Sequence, residues 1–191
     1  MTEHASLSEI VDALEDQHYR NALNITAVPR EQMDALRPLC SLMRKMGRMA
    51  GFLNRGRPES IEVTCKGKIA DRDVSPVVSH GVLGVLESVL GNSVNLVSAT
   101  HLAKDRGIEV TNRSSSTPES GFTNLLTLRL RTETEDTEVS GSVLGEQHPR
   151  IVRVDNFDTE IEPEGHLLVL NTPDRPGVVG TVGEVLGHAG I

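Results

Sequence analysis

Aromatic side chains are nearly missing from this chain of 191 residues, which has no tryptophan, one tyrosine and three phenylalanines. A core must therefore be built from Val, Leu, Ile and Ala, and stacking of bases on aromatic platforms is not expected. An excess of positive charge is missing too. The formal net charge is −8, which argues against a nucleic-acid or anionic-membrane surface and leaves only local basic clusters as anion sites. Cysteine is scarce, and Cys40 and Cys65 are far from CxxC spacing. Reduced, buried thiols are expected in place of a disulfide framework or zinc site, as in a cytoplasmic protein. No apolar run approaches the roughly 18 residues of a membrane span. The opening MTEHASLSEI carries neither the basic nor the apolar region of a signal peptide.

Catalytic signatures are lacking as well. His4, His18, His80, His101, His148, His166 and His188 show no HExxH or His–carboxylate spacing, so they are read as structural or solvent-exposed and no metal site is expected. There is no GxSxG elbow, Walker loop or paired-carboxylate signature. Gly177, Gly180 and Gly183 open a helix after an apolar stretch, but the spacing is not GxGxxG and no acidic residue follows about 20 positions on. Glycines there let a helix lie close to a sheet or partner helix.

What the chain does contain is periodicity. Leu7, Ile10, Val11 and Leu14 recur at helical spacing over Ser8 to Asp16, and Ala22 to Val28 reads as an extended crossing segment. Met33, Leu36, Leu39, Met43, Met46, Met49 and Leu53 follow one face of a second helix, expected to start near Pro38 because proline suits a first turn. The Asn54 to Pro58 run suggests a linker and a domain boundary. Beyond it, Ile61, Val63 and Cys65 alternate as a half-buried strand, and Val82 to Leu90 marks an amphipathic helix stopped by Gly91 and Asn92. Val94 to Val97 reads as a short strand, and Ser98 as the N-cap of a helix ending at Gly107. Strands are expected at Ile108 to Arg113, Leu125 to Arg131, Val139 to Leu144, Arg150 to Val154 and Thr159 to Ile161, the second and third joined as a hairpin by the acidic turn Glu133 to Glu138. The class is α/β (α+β), a mixed sheet with helices on one face.

Two places suggest ligand chemistry. Lys104 and Arg106 close one helix while Arg150 and Arg153 lie on one strand. They make an anion pocket if they converge; otherwise the first pair complements a helix C-terminus and the second is a solvated strand face. The stretch HLLVLNTPDRPGVVGTVGEVLGHAGI, His166 to Ile191, runs from an apolar strand through a polar turn into a small-residue helix. Such a junction offers free backbone N–H groups and a positive helix end to a carboxylate or phosphate.

That last stretch resembles the start of an ACT domain, the βαββαβ amino-acid-binding module of ferredoxin-like fold. VNLVSATHLAKDRGIEV, the pair NLLTLRL and VSGSVLG, and RIVRVDNFDTEIEPEGHLLVL resemble the intervening allosteric substrate-binding domain of long-type D-3-phosphoglycerate dehydrogenases, and ALEDQHYRNALNITAV is similar to the end of their substrate domain. Taken in order, these imply a C-terminal fragment: the substrate-domain remnant over 1–57, the intervening domain over 58–164 and a truncated ACT start over 165–191. The resemblance implies NAD for the intact parent and none for this chain, no catalytic residue here, and an inactive fragment. It implies serine at Thr172, Asp174, Pro176 and Gly177, with Asp174 accepting from the ammonium group, and a small phosphorylated or anionic effector at Lys104, Arg106, Arg150 and Arg153. Arg150 matches a basic position of the family, whereas Glu162 stands where at least some members are basic. A homo-oligomer, tetrameric in the parent, is implied as well. Two other readings stay open: a regulatory portion of an iron–sulfur L-serine dehydratase, and a stand-alone amino-acid sensor. A lone strand–helix pair at the end leaves a sheet edge uncovered and is expected to be poorly stable by itself.

Overall fold

The computed structural model describes residues 30–191 apart from Ser120, Glu146 and Asp174. The helix expected over Ser8 to Asp16 and the extended segment Ala22 to Val28 lie outside the described residues. Helix α1 (Arg30–Leu53) opens the described chain. Its buried residues Leu36, Leu39, Cys40, Met43, Met46 and Ala50 fall at helical spacing and form one apolar stripe. The helix does not start at Pro38 but runs through it. An interior proline removes one backbone bond and costs about 3 kcal/mol, yet Leu36 and Leu39 bury on either side of it, each contributing about 1.5–3 kcal/mol. Tertiary burial outweighs the local penalty.

Strand β1 (Pro58–Gly67) follows, then a 3-10 turn over Lys68–Asp71, helix α2 (Ser75–Leu90) and helix α3 (Leu96–Asp105). Strands β2 (Glu109–Ser115), β3 (Asn124–Thr132), β4 (Asp136–Leu144), β5 (His148–Val154) and β6 (Phe157–Ile161) complete a six-stranded sheet of order β2-β1-β3-β4-β5-β6. Only β1 and β2 are parallel, and α2 and α3 supply the crossover that a parallel pair needs. The expected strand over Val94 to Val97 is instead the entry to α3. Asn95 is the N-cap: its side chain accepts from the Ser98 backbone N–H at 2.9 Å, and its own N–H donates to Ser98 Oγ at 3.2 Å. This reciprocal capping satisfies two otherwise free donors and sets the N-cap three residues before Ser98.

The helices cover one face of the sheet. Ile61, Val63 and Cys65 on β1 stand opposite Leu130, Leu128 and Leu126 on β3, all fully or almost fully buried, and the row continues through Val139 and Gly141 to Ile151. Residues of α1 and α2 belong to the same core cluster, so the Asn54 to Pro58 turn joins a helix and a strand inside one two-layer unit. The two helices touch backbone to backbone. A Cβ on Gly84 would lie 2.1 Å from the Arg44 carbonyl oxygen, and one on Gly47 2.4 Å from that of Gly81. Arg44 and Glu87 close this crossing, with the guanidinium donating to both carboxylate oxygens, Nε to Oε2 at 3.1 Å.

After β6 the order differs from the expected strand. Leu167, Leu168, Val169 and Leu170 are exposed and join no ladder, and helix α4 (Val178–His188) buries no residue. A Cβ on Gly180 or Gly183 would meet nothing within 4 Å, so the close approach that the glycines suggest is made by α1 and α2.

Candidate effector surface on the open face of the sheet

The face of the sheet away from the helices is mostly polar, as the strict alternation along β1 requires, with Leu125 of β3 a buried apolar exception opposite Lys66. Its charges come in opposite pairs across strands. Arg113 meets Glu62 at 3.4 Å, Arg129 meets Glu138 at 3.8 Å, and Arg131 meets Asp136 at 3.3 Å. Cross-strand ion pairs of this exposed kind contribute only about 0.2–1 kcal/mol each, so their main effect is on register and on what the face attracts. At the middle, Thr64, Thr127, Ser140 and Arg153 lie in one row across β1, β3, β4 and β5. Thr127 Oγ1 and Ser140 Oγ are 2.9 Å apart, and Ser142 Oγ donates to the Asn124 carbonyl at 2.7 Å.

Arg150 and Arg153 both rise from β5 toward β6 and the segment after it. Arg150 approaches Glu162 at 3.4 Å and Glu160 at 3.9 Å, with its side chain 21% exposed. Arg153 donates from Nε to Asp158 Oδ1 at 2.9 Å and approaches Glu119 at 3.9 Å. The hydrogen bond and charge of Asp158 raise the Arg153 pKa further, so this side chain is a permanent cation. Lys104 and Arg106 do not join them. They end α3 and lead into edge strand β2, four strand positions from β5, a separation of about 19 Å at the usual strand spacing. The Arg106 carbonyl accepts from Arg57 Nη2 at 2.8 Å, the ordinary satisfaction of a helix end. The four cations therefore form two separate pairs, and only Arg150 and Arg153 share a surface.

Thr172, Pro176 and Gly177 are exposed, and Asp174 lies outside the described residues. Gly177 takes a left-handed conformation as the residue before α4, with its carbonyl accepting from Thr181 N–H at 2.9 Å and Thr181 Oγ1 at 3.1 Å.

Two residues outside the sequence-based set enter this surface. Lys66, on the polar side of β1, donates to Glu119 Oε2 at 2.8 Å, and Glu119 belongs to the connection between β2 and β3. The alternation in β1 does signal Lys66; nothing in the Ser-rich connection signals Glu119. A shallow cleft of about 390 Å³ adjoins them, lined by Lys68, Ser116, Pro118 and Phe122 among others. Its rim is held by Ser116 Oγ donating to Asp71 at 2.6 Å and by Ile69 N–H donating to Asn124 Oδ1 at 2.8 Å. Among the described residues no group of three or more His, Cys, Asp or Glu side chains gathers to hold a metal ion, and no helix is long and apolar enough to cross a membrane. Burial pushes the Cys40 and Cys65 thiols up to about 12, so neither is an activated nucleophile.

Comparison with known proteins gives this surface its context. The family described as D-3-phosphoglycerate dehydrogenase intervening domain matches residues 35–155, which takes in most of α1 and the sheet as far as the end of β5. The D-3-phosphoglycerate dehydrogenase of Archaeoglobus fulgidus is 29% identical over 183 residues, 96% of this chain and 34% of the relative. That of Synechocystis is 30% identical over 180 residues, 94% and 32% respectively, and that of Methanocaldococcus jannaschii 27% identical over 183 residues, 96% and 34%. The chain spans about a third of the length of these curated relatives. By its intervening domain and by this similarity along nearly its whole length, the chain belongs to the D-3-phosphoglycerate dehydrogenase family.

Proposed function

We propose that this chain is the regulatory portion of an NAD-dependent D-3-phosphoglycerate dehydrogenase, which oxidises 3-phosphoglycerate to 3-phosphohydroxypyruvate at the entry to L-serine synthesis. The observation that carries the reading is the intervening-domain match to the two-layer unit of α1, α2, α3 and the sheet. In this reading the effector domain takes in α1 and runs to residue 164, with 165–191 as the beginning of an ACT domain. The parent is a cytoplasmic homo-oligomer, a tetramer, and serine binds at the Thr172 to Gly177 turn once the ACT fold is complete.

The nicotinamide cofactor has no fitting place among the described residues. Gly177, Gly180 and Gly183 stand on or before an isolated helix, and no strand of the sheet leads into it. In this reading oxidation belongs to the parts of the curated relatives that this chain does not cover, and the 191 residues alone are expected to be inactive. What the chain contributes is a coupling free energy: an anion at Arg150 and Arg153 prefers one arrangement of the domains and shifts the population toward it. Glu160 and Glu162 already partly neutralise Arg150, which supports weak, readily reversible binding suited to an effector present at high concentration.

The test is the phosphate dependence of initial rates in the full-length dehydrogenase bearing this chain. Arg150→Gln is expected to remove the phosphate response and leave the effector-free rate within about twofold of wild type. An unchanged response in Arg150→Gln would exclude this surface as the effector site.

A further inference from the structure

The two edges of the sheet are built differently. Strand β6 has only five residues, its pairing with β5 shifts register between Ile151 and Arg153, and Asp158 and Glu160 make it negative. Brevity, irregular pairing and like charge keep an edge from pairing with another chain. Strand β2 has none of these. Its seven residues follow β1 in unbroken register from Glu109 to Ser115, contain no proline or lysine, and carry no net charge because Glu109 and Arg113 cancel, in a chain of net charge −8. All but Val110 are exposed. The strand ends the sheet among the described residues, so one side of it offers a row of backbone donors and acceptors to a further strand.

The side chains along that edge are self-complementary. Register with β1 sets Glu109, Thr111 and Arg113 beside Ser60, Glu62 and Thr64 on the open face. A second β2 laid alongside antiparallel, with a two-fold axis at Thr111, brings Glu109 of each copy opposite Arg113 of the other. Arg113 lies 3.4 Å from Glu62 of its own chain with its side chain 73% exposed, which leaves room for a second carboxylate. An axis at Asn112 gives a longer overlap, but Arg113 then faces Thr111 and stands diagonal to both Glu109 and Arg113 of the other copy, attracted and repelled at once. Self-pairing of β6 would gather four carboxylates, two Asp158 and two Glu160, so β2 is the edge that fits its own copy.

We propose that the β2 edge is a contact between two copies of this chain, made by antiparallel pairing of β2 with β2 about Thr111 so that the two six-stranded sheets become one. The proposal does not depend on the effector reading of the open face. A two-fold contact of this kind is closed, which fits a dimer and not a filament. One short strand buries less than the roughly 1,200 Å² of a stable interface. The 191-residue chains are therefore expected to associate weakly, with a dissociation constant on the order of 0.1 mM.

The experiment is sedimentation equilibrium of the full 191-residue chain at low ionic strength, where exposed charge pairs are least screened. Glu109→Arg and Arg113→Glu each set like charges opposite one another at two places. Each is expected to weaken association about tenfold or more, since one exposed pair counts for up to about fivefold and the axis doubles every substitution. The chain carrying both Glu109→Arg and Arg113→Glu restores opposite charges and is expected to recover most of the lost association, as is an equimolar mixture of the two single variants. Circular dichroism melting confirms that each variant is folded. Thr111→Cys faces itself across the axis, and the native Cys40 and Cys65 are buried, so copper–phenanthroline oxidation is expected to link two chains. Ser115→Cys, on the same face, stands about 26 Å from its counterpart in this register and is expected not to link. A chain that stays monomeric at about 1 mM would overturn the proposal. So would association unchanged by both single reversals, which would put the contact elsewhere, the exposed Leu167 to Leu170 stretch included, or equal linking of Thr111→Cys and Ser115→Cys.

Discussion

Gly84→Ala tests the packing on which the open face depends. The added Cβ would lie 2.1 Å from the Arg44 carbonyl oxygen, 2.9 Å from its carbonyl carbon and 3.0 Å from the Arg48 nitrogen. All three atoms are backbone of α1, so no side chain can swing aside, and α1 must move away from α2 by about 1 Å to restore normal contact. That shift loosens a crossing lined by buried Met43, Val85 and Leu86 and pulls Arg44 from Glu87. Overpacking of this kind costs about 1–3 kcal/mol, toward the upper end where backbone resists, and alanine returns about 1 kcal/mol of helix propensity. A net loss of about 2 kcal/mol is expected. Urea denaturation followed by far-ultraviolet circular dichroism reads it as a midpoint lowered by roughly 1 M for a slope near 2 kcal/mol/M. Gly180→Ala is the control, since that position on α4 has open space around it; it should leave the main transition unchanged. A Gly84→Ala midpoint equal to wild type would refute the close helix crossing.

Other outcomes follow from the buried titratable groups. Burial lowers the His80 pKa below its usual 6.5, Arg44 adds to this, and the Pro76 carbonyl and the Glu87 carboxylate oppose it. Because the folded value lies below the unfolded one, the neutral ring stabilises the fold fully above about pH 6.5, and that contribution is lost as pH falls through the lower folded value. His80→Gln is expected to flatten the decline in melting temperature between about pH 6.5 and 5, and an unaltered decline would rule out His80 as its source. Cys40 and Cys65, with thiols raised to about 12 chiefly by burial, should resist an aromatic disulfide reagent at pH 8 in the folded chain and react at once in urea. Rapid native labelling of either would contradict their placement in the core.

The sheet was largely legible because one face is buried and the other wet, which imprints alternation on Ile61, Val63 and Cys65 of β1 and on Leu126, Leu128 and Leu130 of β3. Helix starts were less so. Pro38 looks like a beginning by local preference, and only the burial of Leu36 upstream of it shows that the helix continues. Val94 and Leu96 alternate like a strand, and the decision between strand and helix lies in the reciprocal Asn95 and Ser98 hydrogen bonds. The Asn54 to Pro58 turn has the composition of a linker, while the close contact of Gly47 with Gly81 is a long-range fact that local pattern does not carry. At the candidate site, Arg150 and Arg153 would point to opposite faces of a regular strand, and they share the open face because the β4–β5 pairing shifts register between Ser140 and Gly141, which local spacing does not show. Lys104 and Arg106 lie at the far edge because strand order, which no local spacing encodes, inserts β1, β3 and β4 between them and β5. Glu119 escaped notice for the same reason: its role comes from where its connection folds.

The regulatory reading is tested most directly by excising residues 30–164 from the full-length dehydrogenase and measuring NAD-dependent oxidation of 3-phosphoglycerate with and without phosphate. The shortened enzyme is expected to keep NAD-dependent turnover and to lose its response to phosphate. Loss of all turnover with the catalytic domains still folded, or a phosphate response equal to that of the intact enzyme, would contradict the assignment of regulation to this chain.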